Sequence, residues 1–465
     1  MNQTQLSRLR LGLSVVALAA LTACANLAPQ HERPALPVAE QLGASGAQDL
    51  TLPAWRDFYA DARLQALVDI ALRNNRDLRV ALRSVDQAAA LARVSDANRW
   101  PTVAAGLISS RQPNARDDTI TASYQAGLQV TAYELDLWGK LRNQSDAAQA
   151  RYLASEDGAR AAQLSLVAGV ASAHYALQID EALLDYARKT LTSREDSHRL
   201  IRLRFDQGAA SSLELQGAIS ALEAARAAQA QAQRQRSQDE NALVLLLGQP
   251  LPQDLPAGAP LAGQALAPLA AGVKSSVLLE RPDVRQSEAL LVAAEANVGA
   301  ARAAFFPSIT LSTSIGSASS ELSGLFKNTA WSFASQALMP VFDAGRNSAN
   351  LKATQAAREI AVAQYEKSIQ QAFREVADAL AARSTLAEQL RAQEAQAAAE
   401  AERLRLVELR FANGASSSLE LLDAQRGSFA AQQAALQVRL ATLHSGVQLY
   451  KALGGGAAAE LRAQR

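Results

Sequence analysis

Ile309, Leu311, Thr313 and Ile315 alternate with Ser308, Thr310, Ser312 and Ser314, which gives one apolar and one hydroxyl-bearing face at a period of two. Tyr124, Ala126, Leu128, Val130 and Ala132 alternate in the same way with Ser123, Gln125, Gly127, Gln129 and Thr131. Trp331, Phe333, Ala337, Met339 and Val341 repeat the pattern more loosely, and residues 102–110 most weakly. The alternation predicts strands at about 102–110, 123–136, 308–316 and 330–342. A soluble half-buried sheet would alternate as well, but strands of roughly ten residues or more suit a membrane barrel.

Helical patterning fills most of the rest. Leu64, Leu67, Val68, Ala71 and Leu72 are spaced for one face of a helix running from about Asp61 to Asn98, which Pro101 ends. Pro282 suits the first turn of a counterpart that runs to about Phe305, where Pro307 stops it. From about 139 to 206 and from 345 to 412 no proline interrupts runs rich in Ala, Leu, Gln, Arg and Glu. Each predicts a helix about 100 Å long at 1.5 Å per residue. Both break at a glycine, Gly208 and Gly414, followed by serines able to cap the next helix, so each reverses into a hairpin with a returning helix at about 212–247 and 417–453.

The two halves repeat. Leu203-Arg204-Phe205, Gly208-Ala209 and Ser211-Ser212-Leu213-Glu214-Leu215 recur 206 positions later as Leu409-Arg410-Phe411, Gly414-Ala415 and Ser417-Ser418-Leu419-Glu420-Leu421. Asp77 and Asp283, Pro101 and Pro307, and Gly139 and Gly345 keep the same offset. The expected fold class is therefore mainly α with a small β part: a first repeat over 55–247 and a second over 274–453, each a pair of strands and a long helical hairpin. Pro250, Pro252, Pro256, Pro260 and Pro268 mark the linker at 248–273, and residues 454–465 form a C-terminal tail.

Composition narrows this further. The net charge of +1 lacks the basic excess of a nucleic-acid partner. Scarce aromatics and abundant alanine favour thin layers of closely packed helices over thick cores. Arg8 and Arg10 precede an apolar run from Leu11 to Leu21, too short for a mature membrane helix, so residues 1–23 read as a secretory signal. Cys24 is the only cysteine and follows Leu21-Thr22-Ala23, which resembles a bacterial lipobox. Cleavage before Cys24 and acylation of its thiol would anchor the chain to lipid at about 0.8 kcal/mol per buried CH₂. By the same resemblance, Ala25 directs the lipoprotein to the outer membrane. Pro29, Pro34, Pro37 and Pro53 make residues 24–54 an extended tether.

Four strands cannot close a barrel, and an open edge in lipid leaves backbone groups unsatisfied at several kcal/mol each. Protomers must pool strands: two copies give about eight, filled by side chains, and three about twelve, with room for a lumen.

Several runs resemble the TolC/OprM-type outer-membrane factors: Trp55-Arg56-Asp57-Phe58, Asn75-Arg76-Asp77-Leu78, Leu135-Asp136-Leu137-Trp138-Gly139 and Arg281-Pro282-Asp283-Val284-Arg285. Ala300-Ala301-Arg302-Ala303-Ala304-Phe305-Phe306-Pro307 and Leu421-Leu422-Asp423-Ala424-Gln425-Arg426 extend the likeness over the mature chain. The lipobox puts it nearest the NodT-like efflux lipoproteins. The resemblance implies a homotrimer with a shared α-barrel and a twelve-stranded β-barrel in the outer membrane of a Gram-negative bacterium. It also implies docking on a periplasmic adaptor (membrane fusion protein) and an inner-membrane pump such as an RND transporter, with passive export of drugs, toxic organics or metals and no cofactor.

The same resemblance places Gly208, Ala209, Gly414 and Ala415 at tips facing the adaptor, although a hairpin needs glycine there for backbone reasons alone. Glu214, Glu420 and Asp423 would ring a closed periplasmic entrance, where close carboxylates raise one another's pKa; a solvated helix face is the bland alternative. Ser416 stands where the OprM-like branch has an acid. Leu213 and Leu419 are candidates for an apolar constriction, with core packing the simpler explanation. The copies differ at Gln216 and Gly217, which stand where Leu422 and Asp423 do in the second repeat, so an entrance that opens asymmetrically is expected to carry its gate on the second repeat. Trp100, Phe305 and Phe306 fit either an aromatic girdle or packing at the helix–strand junction, and Asp136 and Asp343 read as caps of the long helices.

His31, His174, His198 and His444 are scattered without ligand spacing, and neither GxSxG nor GxxxxGK[ST] occurs, so no enzyme is expected. A periplasmic scaffold or adaptor lipoprotein without a pore competes with the channel. A duct for type I protein secretion would share its architecture.

Overall fold

The computed structural model describes residues 26–39, 41–43, 52–113, 120–261, 266 and 272–455. The expected signal, Cys24 and most of the expected tail lie outside the described residues, as do parts of the tether and linker. The protein is mainly helical. In chain order come β1 (Gln41–Gly43), α1 (Trp55–Phe58), α2 (Ala62–Asn74), α3 (Arg76–Ala97), β2 (Val103–Pro113), β3 (Ile120–Leu135), α4 (Lys140–Asp206) and α5 (Ser212–Leu247). Then follow β4 (Gly272–Lys274), a 3₁₀ turn (Ser275–Glu280), α6 (Pro282–Ala303), β5 (Ser308–Ser319), β6 (Thr329–Leu338), α7 (Arg346–Ala412) and α8 (Ser418–Ala452). The chain divides into two compact units. One comprises Arg83–Asp157, Arg285–Lys367 and the residues before Leu36; the other comprises Leu36–Leu82, Gly158–Val284 and the residues from Ser368 onward.

The first unit contains an antiparallel sheet in the order β2-β3-β5-β6, so its central pair, β3 with β5, joins the two sequence repeats. Gly127 and Gly316 face each other in that pair. A Cβ on Gly127 would fall 2.3 Å from the Ile315 carbonyl oxygen, so only glycine lets these backbones meet. Strict alternation fails once. A bulge between Val130 and Tyr133 leaves Ala132 at a φ of 52° and returns Tyr133 and Leu135 to the face of Val130, so the expected place of Ala132 on that face is corrected. Leu107, Leu128, Ile315, Trp331 and Phe333 share one face and are all exposed; Trp331 is 77% accessible. Gln125, Gln129, Ser314, Ser332 and Gln336 share the other, where the Ser314 and Ser332 hydroxyls lie 2.7 Å apart.

Trp138 stacks on Phe306 at 4.7 Å and donates its indole N–H to the Pro307 carbonyl at 2.8 Å, which fixes the passage from helix to strand; Trp100 stays exposed. Alanines pack the helices of this unit: Ala147 and Ala150 of α4 meet Ala293 and Ala296 of α6. Residues 27–33 of the expected extended tether are held on α6. Arg33 makes two bonds to Glu288 (2.8 and 3.1 Å), His31 Nδ1 lies 2.9 Å from Glu295, and Arg302 donates to the Leu27 carbonyl at 2.9 Å. Gly299 allows this, because a Cβ there would come within 2.7 Å of the Ala28 nitrogen.

In the second unit the expected single helix from Asp61 to Asn98 is broken at Asn75, whose ψ of 132° is not helical. Asn75 Oδ1 accepts the Leu78 N–H at 2.8 Å and starts α3, while its Nδ2 donates to the Leu246 carbonyl at 2.9 Å. Arg281, 206 positions later, repeats the tie: its Nη1 donates to the Ala452 carbonyl at 2.7 Å, and Ala452 is 206 positions after Leu246. Burial alone would lower the Arg281 pKa, but bonds to Asp283 and Glu375, both 2.7 Å, outweigh it and raise it. Around these ties Phe58, Tyr59 and Tyr450 cluster, with Phe58 stacked on Tyr450 at 4.1 Å.

Candidate functional site at the hairpin ends

The hairpin turns are built alike. Gly208 and Gly414 have φ values of +72° and +71°, a left-handed conformation that costs glycine nothing. Ala209 donates to the Arg204 carbonyl and Ala415 to that of Arg410, each at 2.8 Å, closing the last turns of α4 and α7. The return is capped by Ser211 and Ser417, whose hydroxyls accept the Glu214 and Glu420 N–H groups at 3.2 Å. Nothing lies within 4 Å of a Cβ on either turn glycine, so backbone conformation alone selects it.

Below the turns, Ile201, Ala218, Val407, Phe411, Leu421 and Ala424 bring the hairpins together in one buried cluster. Leu213 and Leu419 take no part: they are 83% and 75% exposed, which corrects core packing for both. The buried places belong to Leu215 and Leu421, two residues on in each hairpin. Side-chain bonds cross between hairpins. Ser418 Oγ donates to Glu214 at 2.8 Å, Gln425 Nε2 donates to Ser193 and Ser197 at 2.9 and 3.1 Å, and Arg194 donates to the Leu422 carbonyl at 3.4 Å.

The carboxylates are tied inward. Asp423 receives Arg403 at 2.7 Å and Arg426 at 2.5 Å, and these bonds, Arg403's first, hold its pKa below the usual carboxylate range. The Ser211 N–H, then the Ser418 and Ser211 hydroxyls, lower that of Glu214. Mutual repulsion was expected to raise these values, but within one protomer the hydrogen bonds lower them. Glu420 bonds Ser416 and lies 3.7 Å from Arg410. No local pattern in the sequence marks Ser193, Arg194, Ser197 or Arg403 for a role here. Gln425 stood inside a recognised run, but its partners lie more than 200 positions away.

Farther from the tips, Asp180 of α4 and Asp239 of α5 form a carboxyl pair. Burial, then a shared hydrogen bond with Asp239, pushes Asp180 up to about 7, and its buried Oδ2 has no donor among the described residues. A carboxyl raised on folding stabilises the fold least above its folded pKa. Stability from this pair is full below about pH 4 and is lost as pH rises through 7. Asp180→Asn is therefore expected to stabilise the protein at pH 8 by about 1–3 kcal/mol and to flatten its stability between pH 5 and 8. Thermal unfolding of the purified protein at both pH values checks this.

Among the described residues, no group of three or more His, Cys, Asp or Glu could hold a metal ion, and no helix is long and apolar enough to cross a membrane.

The family described as "Outer membrane efflux protein" matches residues 67–249 and 273–455, two segments that begin and end 206 residues apart. The chain is 44% identical over 462 residues to the solvent efflux pump outer membrane protein SrpC of Pseudomonas putida, covering 96% of this chain and 98% of that one. It is 42% identical to the outer membrane protein OprJ of Pseudomonas aeruginosa, covering 96% of each. The open state of the Neisseria gonorrhoeae MtrE outer membrane channel superposes with a TM-score of 0.85 at 40% identity, over 93% of this chain and 98% of that one.

Proposed function

The chain belongs to the outer membrane efflux protein family, and on that premise we propose that three copies form the passive exit duct of a tripartite efflux pump. The observation that carries this is the sheet. One of its faces is apolar and exposed, the other is polar, and among the described residues its outer strands β2 and β6 are each paired on one side only. Such a sheet suits lipid outside and water inside once the edges of neighbouring copies join, and twelve strands leave a lumen. Cys24 would carry the lipid anchor in the outer membrane. The turns at Gly208-Ala209 and Gly414-Ala415 would meet the periplasmic adaptor, which links the duct to an inner-membrane pump of the RND type. The duct needs no cofactor and catalyses no reaction. Glu420 and Asp423, with Ser416, Leu419 and their first-repeat counterparts Glu214 and Leu213, would form the closed periplasmic entrance. The solvent named for the P. putida relative makes small apolar toxic compounds the proposed cargo.

Strand pooling is tested in the full chain by pairing a cysteine at Ala334 in β6 with single cysteines from Ala104 to Ile108 in β2. Oxidation in membranes is expected to give a covalent ladder that ends at three protomers. A ladder that stops at two, grows past three, or forms at no pair contradicts the proposal.

A further inference from the structure

A groove of about 490 Å³ opens between α4, α5 and α8, close to the tip ties but lined mainly by small side chains: Ala221, Ala224 and Ala228 with Phe429. That volume falls in the range of small-molecule sites. Thr190, Ser220 and Gln433 add polar atoms, and Arg194 and Arg426 bring two guanidinium groups, and Asp423 one carboxylate, to the same lining.

Arg194 is out of place by the usual rules. It is 7% exposed, its one side-chain hydrogen bond among the described residues is the 3.4 Å contact to the Leu422 carbonyl, and no described carboxylate lies within 4 Å of its guanidinium. Arg426 is not in that position, because it pairs with Asp423 at 2.5 Å. Burial and then the nearby Arg426 charge both lower the Arg194 pKa. The second repeat shows the balanced alternative: Glu400 stands 206 positions after Arg194, and Arg403 pairs with it at 3.2 Å. In the first repeat Ser197 occupies the place of Arg403, so duplication has left one arginine facing a groove without its counter-charge. A buried, unpaired charge costs several kcal/mol unless an anion joins it.

We propose that this groove binds an amphipathic organic monoanion, with Arg194 holding the carboxylate and the alanine wall and Phe429 holding the apolar body. A planar carboxylate matches the guanidinium fork. The groove shares Leu419 and Asp423 with the proposed entrance, but its test does not depend on the duct reading, since binding is read directly on the purified protein.

The test uses fluorine NMR titration of the full-length protein in detergent with 4-(trifluoromethyl)benzoate, and with 4-(trifluoromethyl)benzamide as the neutral probe of the same shape. The benzoate is expected to bind at least about tenfold tighter than the amide. Arg194→Gln should remove that preference and Arg194→Lys should keep most of it. Ala224→Phe, which fills the groove while leaving the arginine in the sequence, should abolish binding of both probes, and it decides the matter even if Arg194→Gln does not assemble. Equal binding of the two probes, an unchanged benzoate affinity in Arg194→Gln, or undiminished binding in Ala224→Phe overturns the proposal.

Discussion

Gly127→Val is expected to abolish assembly of the protein in the outer membrane. The new Cβ would lie 2.3 Å from the Ile315 oxygen and 2.6 Å from Gly316 Cα, and Gly316 is equally constrained by Ala126 and Gly127. These neighbours are backbone atoms of the strand pair that joins the two repeats, so no rotamer change relieves the clash. Ordinary overpacking costs about 1–3 kcal/mol because side chains give way. Here the ladder itself must part, and in lipid each freed backbone group costs several kcal/mol more. Gly106→Val is the control: its Cβ would meet only the flexible Gln129 side chain, at 3.3 Å. Gel analysis of unheated membrane fractions should show the Gly127→Val oligomer reduced by more than about tenfold, with Gly106→Val within about twofold of the parent.

Severing the bonds between hairpins should open the periplasmic end. Ser418→Ala removes the bond to Glu214, and Gln425→Leu replaces a buried amide by an apolar group of similar size while removing its bonds to Ser193 and Ser197. Neither change touches the capping serines Ser211 and Ser417, so both helices should still start where they do. The second hairpin, which alone carries the Asp423 carboxylate and its two arginine partners, is then held to the first by the Arg194 bond to Leu422 and the buried cluster, without the Ser418 and Gln425 bonds. The double variant is expected to admit a large hydrophilic antibiotic several-fold faster into intact cells, read as a lower inhibitory concentration. Ser212→Ala, the first-repeat counterpart of Ser418→Ala, should leave it unchanged.

Much of this architecture was legible in the sequence, because strand alternation and helical spacing are local signals and a constant offset is visible by inspection. The glycines at 139 and 345, 208 and 414, and 248 and 454 all adopt positive φ in pairs 206 apart, as a duplicated backbone requires. The break at Asn75 was hidden, since the carbonyl that holds it belongs to Leu246, 171 residues away. The bulge at Ala132 was hidden for a similar reason: its N–H is taken by Ser312, on the strand opposite. At the tips, Glu214, Glu420 and Asp423 could be picked out by position, but their partners could not. Arg403 reaches Asp423 across the hairpin, and Ser418 reaches Glu214 from the other repeat. Leu213 and Leu419 misled because their spacing fits a core; two positions decide which leucine of each pair is buried.

The central claim is that three copies make a water-filled duct, and the measurement that tests it most directly is the conductance of the purified protein in planar lipid bilayers. The account predicts single-channel steps, cation-preferring in the parent and both larger and less selective after Glu420→Gln and Asp423→Asn. A folded, membrane-inserted protein that passes no current in either form would contradict it.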